Sequence, residues 1–254
     1  MIAVRRSARV SAVLLATVAG AGLVAGCGGA GGTGGSAAAS GTLSPAGSSS
    51  SAPGGSALAK GLLPAAAFGP ESTVVGLDLE QLAQKAGANG GPMAALSGVS
   101  ITPPECATAL QSLLPAVMGV KDAAAQTATG QGSTTVEALV SGGPAATGVA
   151  TLKQLLTDCA SAQVTSPKLG QASVTVAEVP VGPLGDAAAA VRVTATATPA
   201  GHAAMTVPAL AGVVQDGNRL LLLGTVGTDG TPPDEAAFTA LLQKAASTEH
   251  AALD

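Results

Sequence analysis

Residues Ser173-Val174-Thr175-Val176-Ala177-Glu178-Val179 and Val191-Arg192-Val193-Thr194-Ala195-Thr196-Ala197-Thr198 alternate between apolar and polar side chains. Successive side chains of a β-strand point to opposite faces, so a period of two predicts strands with one face buried and one wet. Ala203 to Gln215 and Leu220 to Val226 follow as further extended runs, joined through Asp216-Gly217-Asn218. Aspartate and glycine tolerate positive φ, which makes this junction the strongest hairpin signal in the chain.

Outside this block the period lengthens. Pro232-Pro233-Asp234-Glu235 predicts the start of a closing helix whose core stripe is Phe238, Leu241 and Leu242. Upstream, Pro144 is expected to open a helix that places Val149, Leu152, Leu155 and Leu156 on one face and runs to Asp158-Cys159. Thr134 to Val140 suits a strand. Pro103-Pro104-Glu105-Cys106 opens a helix through Leu110, Leu113 and Leu114 that Pro115 ends, and Leu77 to Ala86 reads as a short amphipathic helix stopped by Gly87. Strands grouped late among flanking helices predict an α+β fold: an antiparallel sheet flanked by helices on one face, after a signal peptide and a disordered linker.

The N-terminus carries that signal peptide. Arg5, Arg6 and Arg9 precede an apolar stretch from Val10 to Ala25, too short for the roughly 20 residues of a membrane span. It ends in Leu23-Val24-Ala25-Gly26-Cys27, which resembles the lipobox of bacterial lipoproteins. In that family the cysteine thiol, here Cys27, receives a diacylglyceryl group and the chain is cut before it. Two acyl chains suffice for stable anchoring, at about 0.8 kcal/mol per buried CH₂. A plain secretory signal with a chance cysteine is the alternative. Gly28 to Ala57 contains only Gly, Ala, Ser, Thr, Pro and Leu43. Such a segment buries too little to offset its ordering entropy and reads as a disordered spacer. The expected organisation is therefore signal peptide 1–26, lipidated cysteine and linker 27–59, and an α+β domain at 60–254. The expected address is the extracytoplasmic face of the cell membrane.

Composition narrows the function classes. Of 254 residues 10% are charged and 1% aromatic, with no Trp and no Tyr. Single-stranded nucleic-acid readers and most sugar-binding clefts stack their ligands on aromatic rings, and this chain has almost none. The net charge of −4, falling to −7 if the three N-terminal arginines are removed, also argues against a nucleic-acid partner.

With Cys27 assigned to the anchor, Cys106 and Cys159 remain. An even pair in an extracytoplasmic domain is most simply a disulfide; a nucleophilic cysteine is the competing reading. The lipobox, the Gly/Ser linker, Leu62-Leu63-Pro64, Pro103-Pro104-Glu105-Cys106-Ala107, Cys159-Ala160 and the late Gly-Asn hairpin together resemble one actinobacterial group. Its members are lipoproteins similar to the PknH-like extracellular sensor domain, which some membrane serine/threonine kinases also carry. The resemblance implies an α+β domain with a ligand-binding cleft. The kinase-borne domains usually have two disulfides and carry aromatics, whereas a single pair is possible here.

Catalytic and metal chemistry have little to work with. The sequence contains no Gly-x-Ser-x-Gly elbow, Walker loop or kinase His-Arg-Asp motif. His202 lies at an expected turn and His250 near the end of the last helix; neither is given metal ligands at local spacing, so no metal, cofactor or catalytic residue is assigned. Gly224 to Gly230 reads as a turn, Asp234 and Glu235 as charges at a helix N-terminus, and Arg219 as a solvated residue after the hairpin. Arg192 interrupts an apolar-rich strand, so it faces solvent or lines a cleft and is the one candidate ligand contact. These readings predict a non-catalytic, membrane-anchored lipoprotein whose sensor-like domain binds a small ligand or an envelope partner. A scaffolding lipoprotein acting by protein contacts, and a hydrolase with an unrecognised serine, are the alternatives.

Overall fold

In the computed structural model the described residues are 56–78, 98–109, 120–130, 132–166, 170–198, 203–228 and 230–254. The expected signal peptide, Cys27, most of the linker, the helix 79–86, the stretch from Leu110 to Pro115, and His202 lie outside them. Nine strands form one antiparallel sheet: β1 (Thr73–Leu77), β2 (Ser100–Thr102), β3 (Val120–Gly130), β4 (Ser133–Gly142), β5 (Ser161–Ser166), β6 (Gly170–Val179), β7 (Ala187–Thr198), β8 (Met205–Asp216) and β9 (Arg219–Gly227). Their spatial order is β1-β3-β4-β9-β8-β7-β6-β5-β2. Two α-helices are described in full, α1 (Gly148–Asp158) and α2 (Glu235–Leu253), and residues 104–109 are also helical. Among the described residues no helix is long and apolar enough to cross a membrane.

The four late strands lie where alternation, for β6 and β7, and the hairpin signal, for β8 and β9, predict them. The β8–β9 hairpin closes with Asp216 opposite Arg219, and Gly217 in its turn has φ +56°, a region that side chains with a Cβ disfavour. Leu77 ends a strand rather than opening a helix, and Gly224 to Gly227 belong to β9, so the turn there begins only at Thr228.

The helices do not share one face, which corrects that part of the expected arrangement. Leu221, Leu223, Val214, Leu210 and Ala190 pack with Phe238, Leu242 and Ala245 of α2. Their immediate neighbours Leu220, Leu222, Val213 and Ala189 pack with Ala145, Val149 and Leu152 around α1. Adjacent strand residues point to opposite faces, so α2 and α1 cover opposite sides of the sheet. The fold remains α+β.

Helix α2 starts where Asp234 accepts a hydrogen bond from the Ala237 N–H at 2.6 Å, a cap that contributes about 1 kcal/mol. It rests directly on β8: a Cβ at Gly212 would sit 2.8 Å from Leu242 Cδ2. Truncating the fully buried Leu242 to Ala would cost roughly 2–5 kcal/mol. The 3-10 turn Ala57–Gly61, which straddles the boundary expected at Lys60, packs Leu58, Leu62 and Leu63 into the same core.

Cys106 and Cys159 are joined by a disulfide with Cα atoms 5.2 Å apart. The bond ties the helical turn at 104–109 to the end of α1 and is packed with Leu155, Leu152, Ile101 and Ala162 on the α1 side of the sheet.

Candidate functional site

The strand register groups the polar halves of the alternating strands into rows. On the face that carries α2, Ser100 lies beside Thr165, Gln171 and Thr198. The next row along the strands runs Thr102, Gln163, Ser173, Thr196 and Thr206. A third joins Ser161, Thr175 and Thr194. All twelve side chains are neutral hydroxyls or carboxamides. Nine are exposed and Ser173, Thr194 and Thr196 are half-buried. Thr196 and Thr206 hydrogen-bond each other through their Oγ1 atoms at 3.1 Å.

The reverse side of these strands is apolar and covered. Ala172, Val193, Ala195 and Ala197 are buried there, and α1 lies across β6, β7 and β8. Among the described residues this half of the sheet is therefore covered on one side and open on the other. An antiparallel sheet with one solvated face takes this alternating pattern. At strand spacings of about 4.8 Å and rises of about 3.4 Å per residue, the open area spans roughly 19 Å by 14 Å.

Arg192 sits one row further on, opposite Leu210, where α2 begins. Its guanidinium pairs with Glu235 of the first turn of α2, and both side chains remain about half exposed. Of the two readings open to Arg192, the structure shows a solvent-exposed ion pair at the rim of the open face. Beyond it a shallow, wide-open groove of about 490 Å³ runs between the end of β6 and the outer side of α2, lined by Val179, Pro180, Glu235, Ala236, Thr239, Ala240 and Gln243.

Titratable groups gather elsewhere. Arg219 is not solvated as its place after the hairpin suggests: its side chain is 15% exposed and pairs with Glu249, with Asp216 at 3.2 Å and with Asp254 at 2.6 Å. Burial pushes the Glu249 carboxyl up, and the Arg219 guanidinium pulls it back only in part. His250 Nδ1 lies 3.0 Å from Asp216 and 2.6 Å from Asp254. Its hydrogen bond to Asp216 raises the imidazole pKa, and the same bond lowers that of Asp216. The ligand atoms of Asp216, His250 and Asp254 lie within 4.8 Å of one another, the spacing a metal ion needs. Asp254, the C-cap of α2, stands four residues after His250, a local ligand spacing that the sequence reading passed over. The two aspartates also bind Arg219, so in this arrangement the trio ties the end of α2 to the β8–β9 turn.

Glu137 is the other functional-looking group that sequence reasoning missed. It is 0% exposed on β4, accepts from the Leu63 N–H at 3.2 and 3.1 Å, and accepts from Gln126 Nε2 at 2.6 Å. Gln126 Nε2 also donates to the Leu63 carbonyl at 2.8 Å. Burial pushes the Glu137 carboxyl up to about 7, against the lowering effect of the Gln126 and Leu63 hydrogen bonds. Carboxylate and carboxamide together bind the backbone of Leu63 to the centre of the sheet.

No family model and no curated protein matches the sequence. Among solved structures, the chain is similar to the extracellular domain of PknH from Mycobacterium tuberculosis: 15% identity and a TM-score of 0.37, over 59% of this chain and 77% of that one. It is also similar to a putative uncharacterized protein from Mycobacterium smegmatis: 19% identity and a TM-score of 0.42, over 73% of this chain and 96% of that one.

Proposed function

We propose that the chain is a non-catalytic extracytoplasmic lipoprotein, held to the membrane through acylated Cys27, whose folded part binds a small ligand or an envelope partner on the open side of the sheet. The observation that supports this reading is the neutral, hydroxyl-rich face between β2 and β8, which no described element covers while the reverse side is packed. A sheet face of that size with regularly spaced donors and acceptors can hold a ligand without moving backbone. The Arg192–Glu235 ion pair stands at its rim. Among the described residues, the clustered acid and imidazole groups, Asp216, Glu249, His250 and Asp254, lie at the β8–β9 turn and not in the three rows.

A photo-crosslinking side chain placed at the exposed Gln163, in the middle row, tests this in cells. It should give a discrete adduct that an equally exposed position on the far side, Gln154 of α1, does not. Equal labelling from both positions, or none from either, would count against a binding role for this face.

A further inference from the structure

The chemistry of the open face selects among ligand classes, and the selection rests on the reading that this face is the binding site. None of the twelve side chains in the three rows ionises near neutral pH, and the bordering Arg192 is already paired with Glu235. Among the described residues, a phosphate, sulfate or anionic headgroup bound here would lose its hydration and find no unpaired cation in the rows to replace it. A basic peptide would find no carboxylate within the rows. An acyl chain would have to strip water from hydroxyls and two carboxamides that it cannot satisfy.

A ligand that is itself neutral and carries both donors and acceptors avoids all three costs. Hydroxyls both donate and accept, and the Gln163 and Gln171 carboxamides add two donors and an acceptor each. We propose that the open face docks a neutral, polyhydroxylated polymer, a glycan chain lying across β5, β6 and β7. The scarcity of aromatic rings that argues against a sugar cleft bears here on affinity. Without stacking, each sugar unit gains only hydrogen bonds exchanged against water, so single sugars bind negligibly and affinity has to accumulate along the polymer. A surface of roughly 19 Å by 14 Å has room for several units at once.

The test uses the full-length protein, immobilised in detergent, with dextran, galactan and mannan as neutral probes and heparin and phosphatidylglycerol vesicles as anionic ones. At least one neutral polysaccharide should bind. Raising the salt concentration through the range where surface charges are screened should leave that binding unchanged, and the matching monosaccharide should fail to compete. The paired substitution Thr175→Val and Thr196→Val removes two central hydroxyls with little change of shape and should weaken binding at least tenfold, while Arg192→Gln should alter it less than twofold. Salt-sensitive binding of heparin or vesicles, abolished by the same threonine substitutions, would overturn the neutral-glycan assignment and keep the face as the site. Polysaccharide binding indifferent to the threonine substitutions would overturn both. Failure of every neutral polymer, or self-association of the protein that those substitutions abolish, would also overturn the glycan assignment; in the latter case a second copy covers the face.

Discussion

Replacing Glu137 by Gln should change how the stability of the folded part depends on pH. In the folded protein burial holds this carboxyl at about 7 instead of 4.5. The folded state therefore binds the proton more tightly than the unfolded chain does. The stability gained from that preference is complete below the unfolded pKa and is lost as pH rises through the folded one. The 2.5-unit difference corresponds to about 3 kcal/mol, all of it lost between roughly pH 4.5 and pH 7 to 8. Glutamine mimics the neutral acid in shape and cannot ionise. Its amide nitrogen, however, meets the Leu63 N–H or Gln126 Nε2 as one donor against another, which costs about 1–3 kcal/mol at any pH. The variant should thus be somewhat weaker than wild type at pH 5 and should recover relative to it by about 3 kcal/mol at pH 8. Urea unfolding at the two pH values reads both numbers. His250, Glu249 and Asp216 also have shifted pKa values, and being unchanged in the variant they cancel in the comparison. Parallel stability profiles for the two proteins would refute the argument that Glu137 is ionised at the cost of its burial.

Arg219→Ala should cost about 3 kcal/mol, since it leaves the buried Glu249 without a counter-charge, and adding Glu249→Leu should restore most of it in chemical unfolding. Reducing the Cys106–Cys159 bond, which closes 53 positions, should lower stability by about 4 kcal/mol from loop entropy, and neither thiol should alkylate in the native, unreduced protein. The His250 imidazole should titrate above the ordinary histidine value by NMR, and Asp216→Asn should bring it down. The stability that this raised pKa supplies is present below the ordinary value and is lost as pH rises through the raised one.

The strands that the sequence reveals are β6 and β7, in which apolar and polar residues alternate, β8 and β9, which flank the Asp-Gly-Asn hairpin signal, and β4. Strand β3 escapes because Val120-Lys121-Asp122-Ala123-Ala124-Ala125-Gln126-Thr127-Ala128-Thr129-Gly130 is built on alanine. Alanine has no strong strand preference and packs equally well on a helix, so the segment shows almost no period. Short β2 and β5 carry few apolar residues from which to read one. The error over the helices had a visible warning. Leu220-Leu221-Leu222-Leu223 is apolar at every position, and a strand buried on both faces reads that way. A run of that kind calls for cover on both sides of the sheet. The open face was half legible: each strand shows its hydroxyl positions, while the rows exist only through the register and strand order, which depend on contacts distant in sequence. Glu137 was visible as a carboxylate inside an apolar strand. What buries it, Leu63, lies 74 residues away.

The geometry separates the charged cluster from the proposed binding face, and that separation can be tested. Thr206, at the open face, and Asp216, in the charged cluster, are ten residues apart on β8, roughly 33 Å along an extended strand. Sites that far apart without shared partners add their effects to within about 0.5 kcal/mol. Arg219→Ala should therefore lower stability while leaving affinity for the ligand of the open face unchanged, and Thr175→Val with Thr196→Val should do the reverse. The combined variant should show the sum. Helix α2 is the element that could break this independence, because it joins Glu235 at the rim to Glu249 in the cluster along one rigid rod. If the combined variant departs from additivity by 1 kcal/mol or more, the rod transmits strain between its ends. The two ends would then have to be treated as one cooperative unit.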